Sequence, residues 1–391
     1  MEHTRLGATG LEVSRLALGT MTFGREIGEP GSHRLLNRFT EAGGTLIDTA
    51  DGYNEGRSEE FVGSWLAGRR RDDLVIATKA RFGSGPNRRG LSRKHLLNAV
   101  DASLRRLRTD HIDLYQLHMW DYHTPIEETL RALDTIVTSG RARYLGVSNV
   151  TAAQLQRTAS LCRSASLEPV ISLQPLYNLL DREAEWDLIP TCRSEGIGVL
   201  PYSPLRGGWL SGKFHRAPTA EAASTRPASP RAESSRASPS RAEPSRAESF
   251  RAESSHAESS HAECSHAELS RAEVPSAGRT RLAGTDRPGE PTWTEAWANY
   301  AFDERTWTVV ETLAEVAVDI GRTPAQTALN WLLHRPGVTA PIIGARTLDQ
   351  LDDNLAAATF TMDPAHHDRL DRASDKPKPY PYQLLSDLRD V

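Results

Sequence analysis

Cysteine is scarce in this 391-residue chain, and long hydrophobic runs are missing. The three cysteines, Cys162, Cys192 and Cys264, lie far apart and form no CxxC pair, so we expect neither a disulfide scaffold nor a structural zinc site. No segment reaches the ~18 consecutive apolar residues that a membrane span needs. The opening sequence MEHTRLGATG also lacks the basic and then apolar pattern of a secretion signal.

An excess of one charge is also lacking. Lysine and arginine number 47 against 51 aspartates and glutamates, which leaves a formal charge of −4. This balance provides no electrostatic surface for nucleic acid or for an anionic membrane. We therefore expect a cytoplasmic, globular protein that acts on a small molecule. The sequence leaves open whether the chain forms a homo-oligomer.

A pentapeptide repeat occupies the segment from Arg226 to Pro275, with units such as RAESS and HAESS. A step of five residues turns a helix by about 140° net, so no apolar stripe forms, and on a strand it alternates faces. Such a segment buries too little apolar area to offset its ordering entropy. We predict a disordered, low-complexity insertion over residues 215–278, within one domain that spans 1–391.

The repeat also raises the question of a metal site, because three histidines recur around one cysteine in it. These are His256, His261, His266 and Cys264. Arginine occupies the same position in other repeat units, and nothing in the pattern preorganises the side chains. We expect that the protein binds no metal there.

Outside the insertion, short apolar runs alternate with segments of helical periodicity. The strand-like runs are Leu16–Gly19, Leu46–Asp48, Leu74–Lys79, Ile112–His118, Tyr144–Ser148, Val170–Gln174, Ile197–Tyr202 and Ala340–Gly344. Apolar residues at helical spacing include Leu97, Val100, Leu104 and Leu107, then Ile126, Leu130, Leu133 and Val137, and later Trp307, Val310, Ala314 and Ala317. Capping boxes, which mark helix starts, are expected at Thr124–Glu127, Thr151–Gln154 and Thr323–Gln326.

Eight strand–helix repeats predict an α/β protein with a (β/α)₈ TIM barrel, preceded by a β-hairpin at Thr4–Val13. The insertion follows the seventh strand. A doubly wound sheet is the alternative, but no GxGxxG follows the first strand.

Polar residues stand at the carboxyl end of six of these runs. They are Asp48, Lys79, His118, Ser148 with Asn149, Gln174, and Tyr202 with Ser203. The carboxyl ends of the strands are where barrel enzymes build their active sites. The set therefore indicates an active site, although each residue alone is compatible with a cap or a turn.

Several phrases along the chain resemble the aldo-keto reductase family. They are GTLIDTADGY (44–53), VIATK (75–79), LYQLH (114–118), YLGVSN (144–149), LQPLYN (173–178), YSPLRGG (202–208) and PIIGARTLDQLDDN (341–354). The bacterial NADP-dependent type, which is also similar to potassium-channel β-subunits, gives the nearest likeness. The resemblance implies an oxidoreductase that reduces aldehydes or ketones with NADPH.

The resemblance implies a catalytic tetrad of Asp48, Tyr53, Lys79 and His118. Carbonyl reduction needs a proton for the developing alkoxide, and an ordinary phenol, with a pKa near ~10, holds its proton too tightly at neutral pH. The Lys79 cation favours the phenolate form of Tyr53, the general acid, and Asp48 orients the lysine. His118 polarises the carbonyl through a hydrogen bond.

The cofactor residues are also implied by the resemblance. It assigns Gly19, Thr20 and Met21 to the cofactor, sets Ser148, Asn149 and Gln174 against the nicotinamide carboxamide, and stacks the Tyr202 ring on the nicotinamide. The pyrophosphate would be contacted by Ser203, Leu205, Gly207 and Lys213. The 2′-phosphate would be contacted by Gly344 and Arg346, and the adenosine by Gln350 and Asn354. Arg346 favours NADP(H) over NAD(H), because a guanidinium binds phosphate with paired hydrogen bonds. A plain helix cap at Thr347 is the alternative for Gln350.

The substrate pocket is expected to be aromatic and mainly apolar. Met21, Phe23, Trp120 and Tyr122 are the candidates that join Tyr53 in its wall. No cationic cluster suggests a phosphorylated or multiply charged substrate.

Two other functions are compatible with the sequence. A regulatory subunit would keep NADP(H) as a redox sensor with little turnover, although no extended segment precedes the hairpin. Alternatively, the repeat would be an interaction or phosphorylation module carried by the barrel. Since the insertion lies in the loop that the family folds over the cofactor, we expect a looser lid.

Overall fold

The computed structural model describes residues 1–216 and 304–387. Of the predicted insertion, residues 217–278 lie outside the described residues. In the part that is described, no helix has the length and apolar character needed to cross a membrane.

Eight parallel strands form one sheet, and a two-stranded hairpin precedes it. The hairpin consists of β1 (His3–Arg5) and β2 (Glu12–Ser14). The sheet consists of β3 (Ala17–Gly19), β4 (Leu46–Asp48), β5 (Val75–Ala80), β6 (Ile112–Leu117), β7 (Ala142–Ser148), β8 (Val170–Gln174), β9 (Gly198–Val199) and β10 (Ile342–Ile343). Their order is β10-β3-β4-β5-β6-β7-β8-β9. Each of the eight matches one of the predicted strand-like runs.

Backbone hydrogen bonds join the two edges of the sheet. The amide of Ile342 donates to the carbonyl of Pro201 over 2.8 Å, and the amide of Thr339 donates to the carbonyl of Val199 over 2.8 Å. The sheet therefore curls round toward closure, and the predicted (β/α)₈ architecture is confirmed.

Helices lie between the strands. In the described residues they are α1 (Glu29–Glu41), α2 (Arg57–Leu66), α3 (Arg93–Leu107), α4 (Ile126–Thr138), α5 (Ala152–Ser164), α6 (Leu188–Glu195), α7 (Glu304–Asp319), α8 (Pro324–Leu333), α9 (Leu348–Ala356), α10 (Pro364–Ser374) and α11 (Tyr382–Asp387). The three segments with predicted helical periodicity correspond to α3, α4 and α7.

Two of the three predicted capping boxes are confirmed. Thr151 and Thr323 each cap a helix reciprocally with the glutamine three residues later. The box predicted at Thr124 is wrong. Pro125 is the N-cap residue of α4, and the Thr124 hydroxyl instead donates to Asp121 Oδ2 over 2.7 Å. With Pro125 as the N-cap residue, Thr124 lies one position too early for its oxygen to accept from the first turn of α4.

The hairpin lies against the amino-terminal end of the barrel. Thr4 pairs with Val13, as predicted, and Leu6 is fully buried. Gly7 has a left-handed φ of 61°, and a Cβ atom there would lie 2.4 Å from the carbonyl oxygen of Gly196. Only glycine allows this close approach of the two backbones.

Alternation along the strands divides the core into two layers. Ala77 and Leu114 belong to an apolar cluster that also contains Leu6 of the hairpin, whereas Ile76 and Tyr115 join a second cluster with residues of the surrounding helices. Side chains two residues further along a strand share its face. The face of Ala77 and Leu114 is therefore apolar near the hairpin and polar where the strands end.

Candidate active site

The four tetrad residues come from three successive strands and the loops after them. Asp48 is the last residue of β4, and Lys79 is the penultimate residue of β5. His118 follows β6 directly, and Tyr53 begins a short 3₁₀ turn, Tyr53–Gly56. Because neighbouring parallel strands end at the same side of the sheet, residues distant in sequence meet here.

Lys79 is the centre of this group. Its side chain is fully buried, and Nζ donates to Asp48 Oδ2 over 2.6 Å, to the Thr49 carbonyl over 2.7 Å and to the Tyr53 hydroxyl over 3.1 Å. These three contacts use all the donors of an ammonium group. Burial lowers the pKa of Lys79, but the charges and hydrogen bonds of Asp48 and Tyr53 outweigh it, so the net shift is upward. The lysine is therefore held as a cation.

Two glutamines hold the other oxygen of Asp48. Gln174 Nε2 donates to Asp48 Oδ1 over 2.9 Å, and Gln116 Nε2 donates to the same atom over 3.2 Å. Gln174 was expected to face the nicotinamide, and its amide N–H here points to the tetrad. Gln116 was not identified from the sequence. It lies two residues before His118 in LYQLH, and the alternation of the strand was the signal that could have found it.

His118 is held as a neutral ring. Its ring lies edge-on to the rings of Phe82 and Tyr53, with centroids 4.9 Å and 5.6 Å away. Burial lowers the pKa of His118 to about 2, and the positive charges of Lys79 and Arg81 contribute. Its Nδ1 atom is buried and has no hydrogen-bond partner among the described residues. At neutral pH the ring thus carries one proton, which suits it to donate a hydrogen bond to a neutral acceptor.

The loop that carries Tyr53 is backbone-strained. Asn54 and Glu55 have φ values of 52° and 61°, in the left-handed region that costs of order 1–3 kcal/mol for such residues. Asn54 Nδ2 offsets this cost by donating to the carbonyls of Met21 over 3.0 Å and Phe23 over 2.5 Å. These bonds tie the Tyr53 loop to the loop after β3.

The residues after β3 divide between the interior and the surface. The fully buried Thr20 hydroxyl donates to the Asp48 carbonyl over 3.0 Å, and Gly19 ends the strand. Met21 is 40% exposed. Phe23, expected in the substrate wall, is instead fully buried in the core, because its ring packs among apolar side chains behind this loop.

All four predicted nicotinamide residues are linked to each other and to His118, since Asn149 Nδ2 also donates to Ser148 Oγ over 3.0 Å. Asn149 Nδ2 donates to the His118 carbonyl over 2.9 Å, and Tyr202 Oη donates to Asn149 Oδ1 over 3.0 Å. Ser148 Oγ donates to the carbonyl of Gln174 over 2.8 Å. The network joins the carboxyl ends of four strands, β6 to β9, next to the tetrad. The contact of these side chains with a nicotinamide stays a prediction.

The loop after β9 has an unusual backbone. Ser203, Arg206, Gly207 and Gly208 all have positive φ, with values of 51°, 46°, 63° and 103°. Turns with left-handed residues present backbone N–H groups on a concave side, which is a geometry that binds anions. Asp181 pairs with Arg206 over 2.8 Å. Of the other predicted phosphate residues, Leu205 and Gly207 lie in this loop, and Lys213 is exposed just beyond it.

The loop between β10 and α9 is held by its own side chains. The Arg346 amide donates to Gln350 Oε1 over 2.9 Å, and Asn354 Nδ2 donates to the Gly344 carbonyl over 3.2 Å. The Gln350 amide donates to Thr347 Oγ1 over 3.3 Å, so Thr347 caps α9, but the Gln350 side chain does not complete the capping box that was the alternative for it. Gly344 is exposed, with no atom within 4 Å of the place a Cβ would take. Backbone in this loop is thus open to a ligand.

Aromatic residues follow β5 and β6 closely at the carboxyl ends of these strands. Phe82 and Tyr122 are 41% and 81% exposed, and Trp120 is half-buried. Arg81 and Phe82, which follow Lys79 by two and three residues, were not identified from the sequence. Among the described residues, no group of three or more histidine, cysteine, aspartate or glutamate side chains is placed to hold a metal ion.

Comparison with known proteins places this geometry in a family. Residues 15–375 match the profile of the Aldo/keto reductase family. The chain is 32% identical over 375 residues to "Uncharacterized oxidoreductase YrpG" of Bacillus subtilis (strain 168), with 93% of each chain covered. It is 38% identical over 217 residues to "Norsolorinic acid reductase B" of Aspergillus parasiticus, which covers 51% of this chain and 57% of the fungal protein. It is 36% identical over 219 residues to "Probable voltage-gated potassium channel subunit beta" of Oryza sativa subsp. japonica, which covers 55% of this chain and 67% of the plant protein.

Proposed function

The chain belongs to the aldo/keto reductase family of NAD(P)H-dependent oxidoreductases, and we propose that it reduces aldehydes or ketones to alcohols with NADPH. The observation that carries the proposal is the contact of the buried Lys79 ammonium with Tyr53 and Asp48. A phenol beside a fixed cation is suited to deliver a proton to an oxygen that gains negative charge. Relatives that are named reductases support the reductive direction.

The residues present fit a dinucleotide cofactor. The concave backbone of the loop after β9 suits a pyrophosphate, and Arg346, at the start of α9, suits a 2′-phosphate. The choice of NADPH over NADH rests on Arg346, because a guanidinium can bind that phosphate with two hydrogen bonds. When bound, the reduced nicotinamide supplies the hydride to the carbonyl carbon.

Tyr53 acts as the general acid. Its oxygen accepts a hydrogen bond from Lys79 Nζ, so its own proton can point toward a carbonyl oxygen in the cleft. As the carbonyl carbon gains a hydride, its oxygen gains negative charge and takes the phenol proton. Lys79 then stabilises the phenolate that remains.

His118 orients the substrate. Because burial lowers the pKa of His118 to about 2, the ring is neutral at neutral pH. It therefore donates one hydrogen bond to the carbonyl oxygen without competing with Tyr53 as an acid. Asp48 keeps Lys79 charged, and Gln116 and Gln174 hold Asp48 in place.

A second candidate is a regulatory NADP(H)-binding subunit with little turnover. The similarity to a protein named as a probable potassium channel β-subunit favours it. Both candidates predict cofactor binding, and only the first predicts rapid reduction of carbonyl compounds. The cytoplasmic location expected from the sequence stays a prediction.

The test is NADPH oxidation with aliphatic, aromatic and dicarbonyl aldehydes, using the wild type and Tyr53→Phe, with NADH in parallel. We expect the variant to lose turnover by about 10²–10⁴, the usual contribution of general acid catalysis, while it still binds NADPH. Tyr380→Phe, at an exposed tyrosine that no site prediction includes, is the matched control and should change the rate by less than about threefold. Tight NADPH binding by the wild type without turnover of any carbonyl would favour the regulatory subunit.

A further inference from the structure

Arg81 places one positive charge at the mouth of the active site. It follows Lys79 by two residues, and its side chain is half-buried. Its Nε donates to the carbonyl of Trp120 over 3.2 Å, and its guanidinium carbon lies 5.4 Å from the centroid of the Phe82 ring. The side chain is thus held between the loops that follow β5 and β6.

The charge of Arg81 affects the pKa of His118 in the candidate active site. The pKa of His118 is lowered mainly by burial, then by Lys79, and then by Arg81. Phe82 lies between the two, because its ring contacts both the His118 ring and the guanidinium. Arg81 and the carbonyl-orienting histidine therefore border one cleft.

Among the described residues, Arg81 makes no ion pair, and its two terminal nitrogens have no hydrogen-bond partner. Asp121 is the acid whose pKa responds to Arg81, but its oxygens are already occupied. Oδ2 accepts from the Leu91 amide and the Thr124 hydroxyl, and Oδ1 accepts from the His123 amide. The outer edge of the guanidinium thus remains available for an acceptor.

We propose that Arg81 binds a carboxylate of the substrate, and that the protein prefers carbonyl compounds that carry a carboxylate. A guanidinium edge pairs with a carboxylate through two parallel hydrogen bonds, and such charged bonds are the strong ones. The Phe82 ring contacts both Arg81 and His118, so an aromatic ring suits the part of the substrate between its two ends. The sequence contains no cationic cluster, and one arginine is enough for one carboxylate. This proposal rests on the reductase function proposed above.

The test compares 4-carboxybenzaldehyde with its methyl ester in the wild type, Arg81→Gln and Arg81→Lys. Glutamine retains a donor for the Trp120 carbonyl but removes the charge. We expect Arg81→Gln to lower kcat/KM for the acid by about 10- to 100-fold, the range for a hydrogen bond to a charged group, and for the ester by less than about threefold. Arg81→Lys should retain part of the preference. Arg105→Gln replaces an exposed arginine on α3 and is the matched control. It should leave kcat/KM unchanged for both the acid and the ester.

A second measurement needs no turnover. Calorimetry would follow the binding of 4-(hydroxymethyl)benzoate and of benzyl alcohol to the purified protein. Binding of the acid by the wild type, weakened in Arg81→Gln, supports the carboxylate site even if no aldehyde is reduced, in which case the proposed function alone fails. Equal losses of kcat/KM for acid and ester in Arg81→Gln, or 4-(hydroxymethyl)benzoate binding that Arg81→Gln leaves unchanged, would overturn the carboxylate site and leave the reductase function standing.

Discussion

The buried pair of Lys79 and Asp48 makes a prediction about stability that can be worked through. Their side chains are 0% and 4% exposed, and their charged atoms are 2.6 Å apart. Asp48→Asn keeps the shape of the side chain but removes the charge that compensates the ammonium. Loss of one partner of a buried pair costs about 3–5 kcal/mol, because the other charge stays buried and unpaired. We expect Asp48→Asn to lose stability in this range at pH 7.

The pH dependence of this loss has a defined sign. In the wild type the pKa of Lys79 is raised in the folded state, so the pair stabilises the protein below the ordinary lysine pKa and the gain is lost at higher pH. In Asp48→Asn the charge and hydrogen bond of Asp48 no longer raise the pKa of Lys79, and desolvation, the largest cause, is opposed by Tyr53 alone, so we expect that pKa to fall below its ordinary value. The folded variant then holds its proton less tightly than the unfolded chain. The stability that Asp48→Asn loses relative to the wild type should therefore become smaller between pH 7 and about pH 10.

Urea unfolding followed by tryptophan fluorescence at pH 7 and pH 9.5 measures both effects. The set comprises the wild type, Asp48→Asn, Lys79→Met and the double variant, with the exposed Asp72→Asn as control. The double variant should lose less stability than the sum of the losses in the two single variants, because neither charge is left unpaired in it. A loss below about 1 kcal/mol in Asp48→Asn, or a deficit that grows with pH, would refute the reasoning.

Three further predictions concern separate parts of the chain. Burial, with a contribution from Glu59, raises the pKa of Asp51 to about 7, so the wild type should lose stability as the pH rises from about 4 to 7. Asp51→Asn should therefore be more stable than the wild type at pH 8, by on the order of 2–4 kcal/mol, and equally stable near pH 4. Thermal unfolding at pH 4 and pH 8 measures this, and a stability difference that is the same at both pH values would contradict it. Arg346→Ser should raise the KM for NADPH by about 10- to 100-fold and leave that for NADH within about threefold, so equal changes in steady-state kinetics would remove Arg346 from the 2′-phosphate site. Deletion of residues 217–278 should tighten NADPH binding and slow its release in stopped-flow fluorescence, and unchanged values would refute the expectation that this insertion loosens the lid.

The placement of the tetrad shows how far sequence patterns reach. Asp48, Lys79 and His118 each end a strand-like run, and parallel strands that alternate with helices bring such ends to one side of a barrel. This inference needs only the order of the elements. The eight strands and the helices α3, α4 and α7 were predictable for the same reason, since their periodicity is local.

Contacts between loops depend on the packed structure. Asn54 bonds to the loop after β3, and Arg81 bonds to the Trp120 carbonyl, yet neither pairing has a periodic signal in the sequence. Thr124 is a different case, because its hydroxyl donates to Asp121, only three residues earlier, so one local contact took the place of the predicted local cap.

The sequence by itself determined which strands exist and which polar residues end them, and it supplied the candidates for the tetrad. Hydrophobic periodicity and chemical type are properties of neighbouring residues, so they can be read along the chain. Only the tertiary structure decided that Gln116 and Gln174 share one oxygen of Asp48, that Phe23 is buried in the core, and that Arg81 donates to the Trp120 carbonyl. These facts depend on distances between side chains from different strands and loops, which are set when the sheet curls and the loops pack.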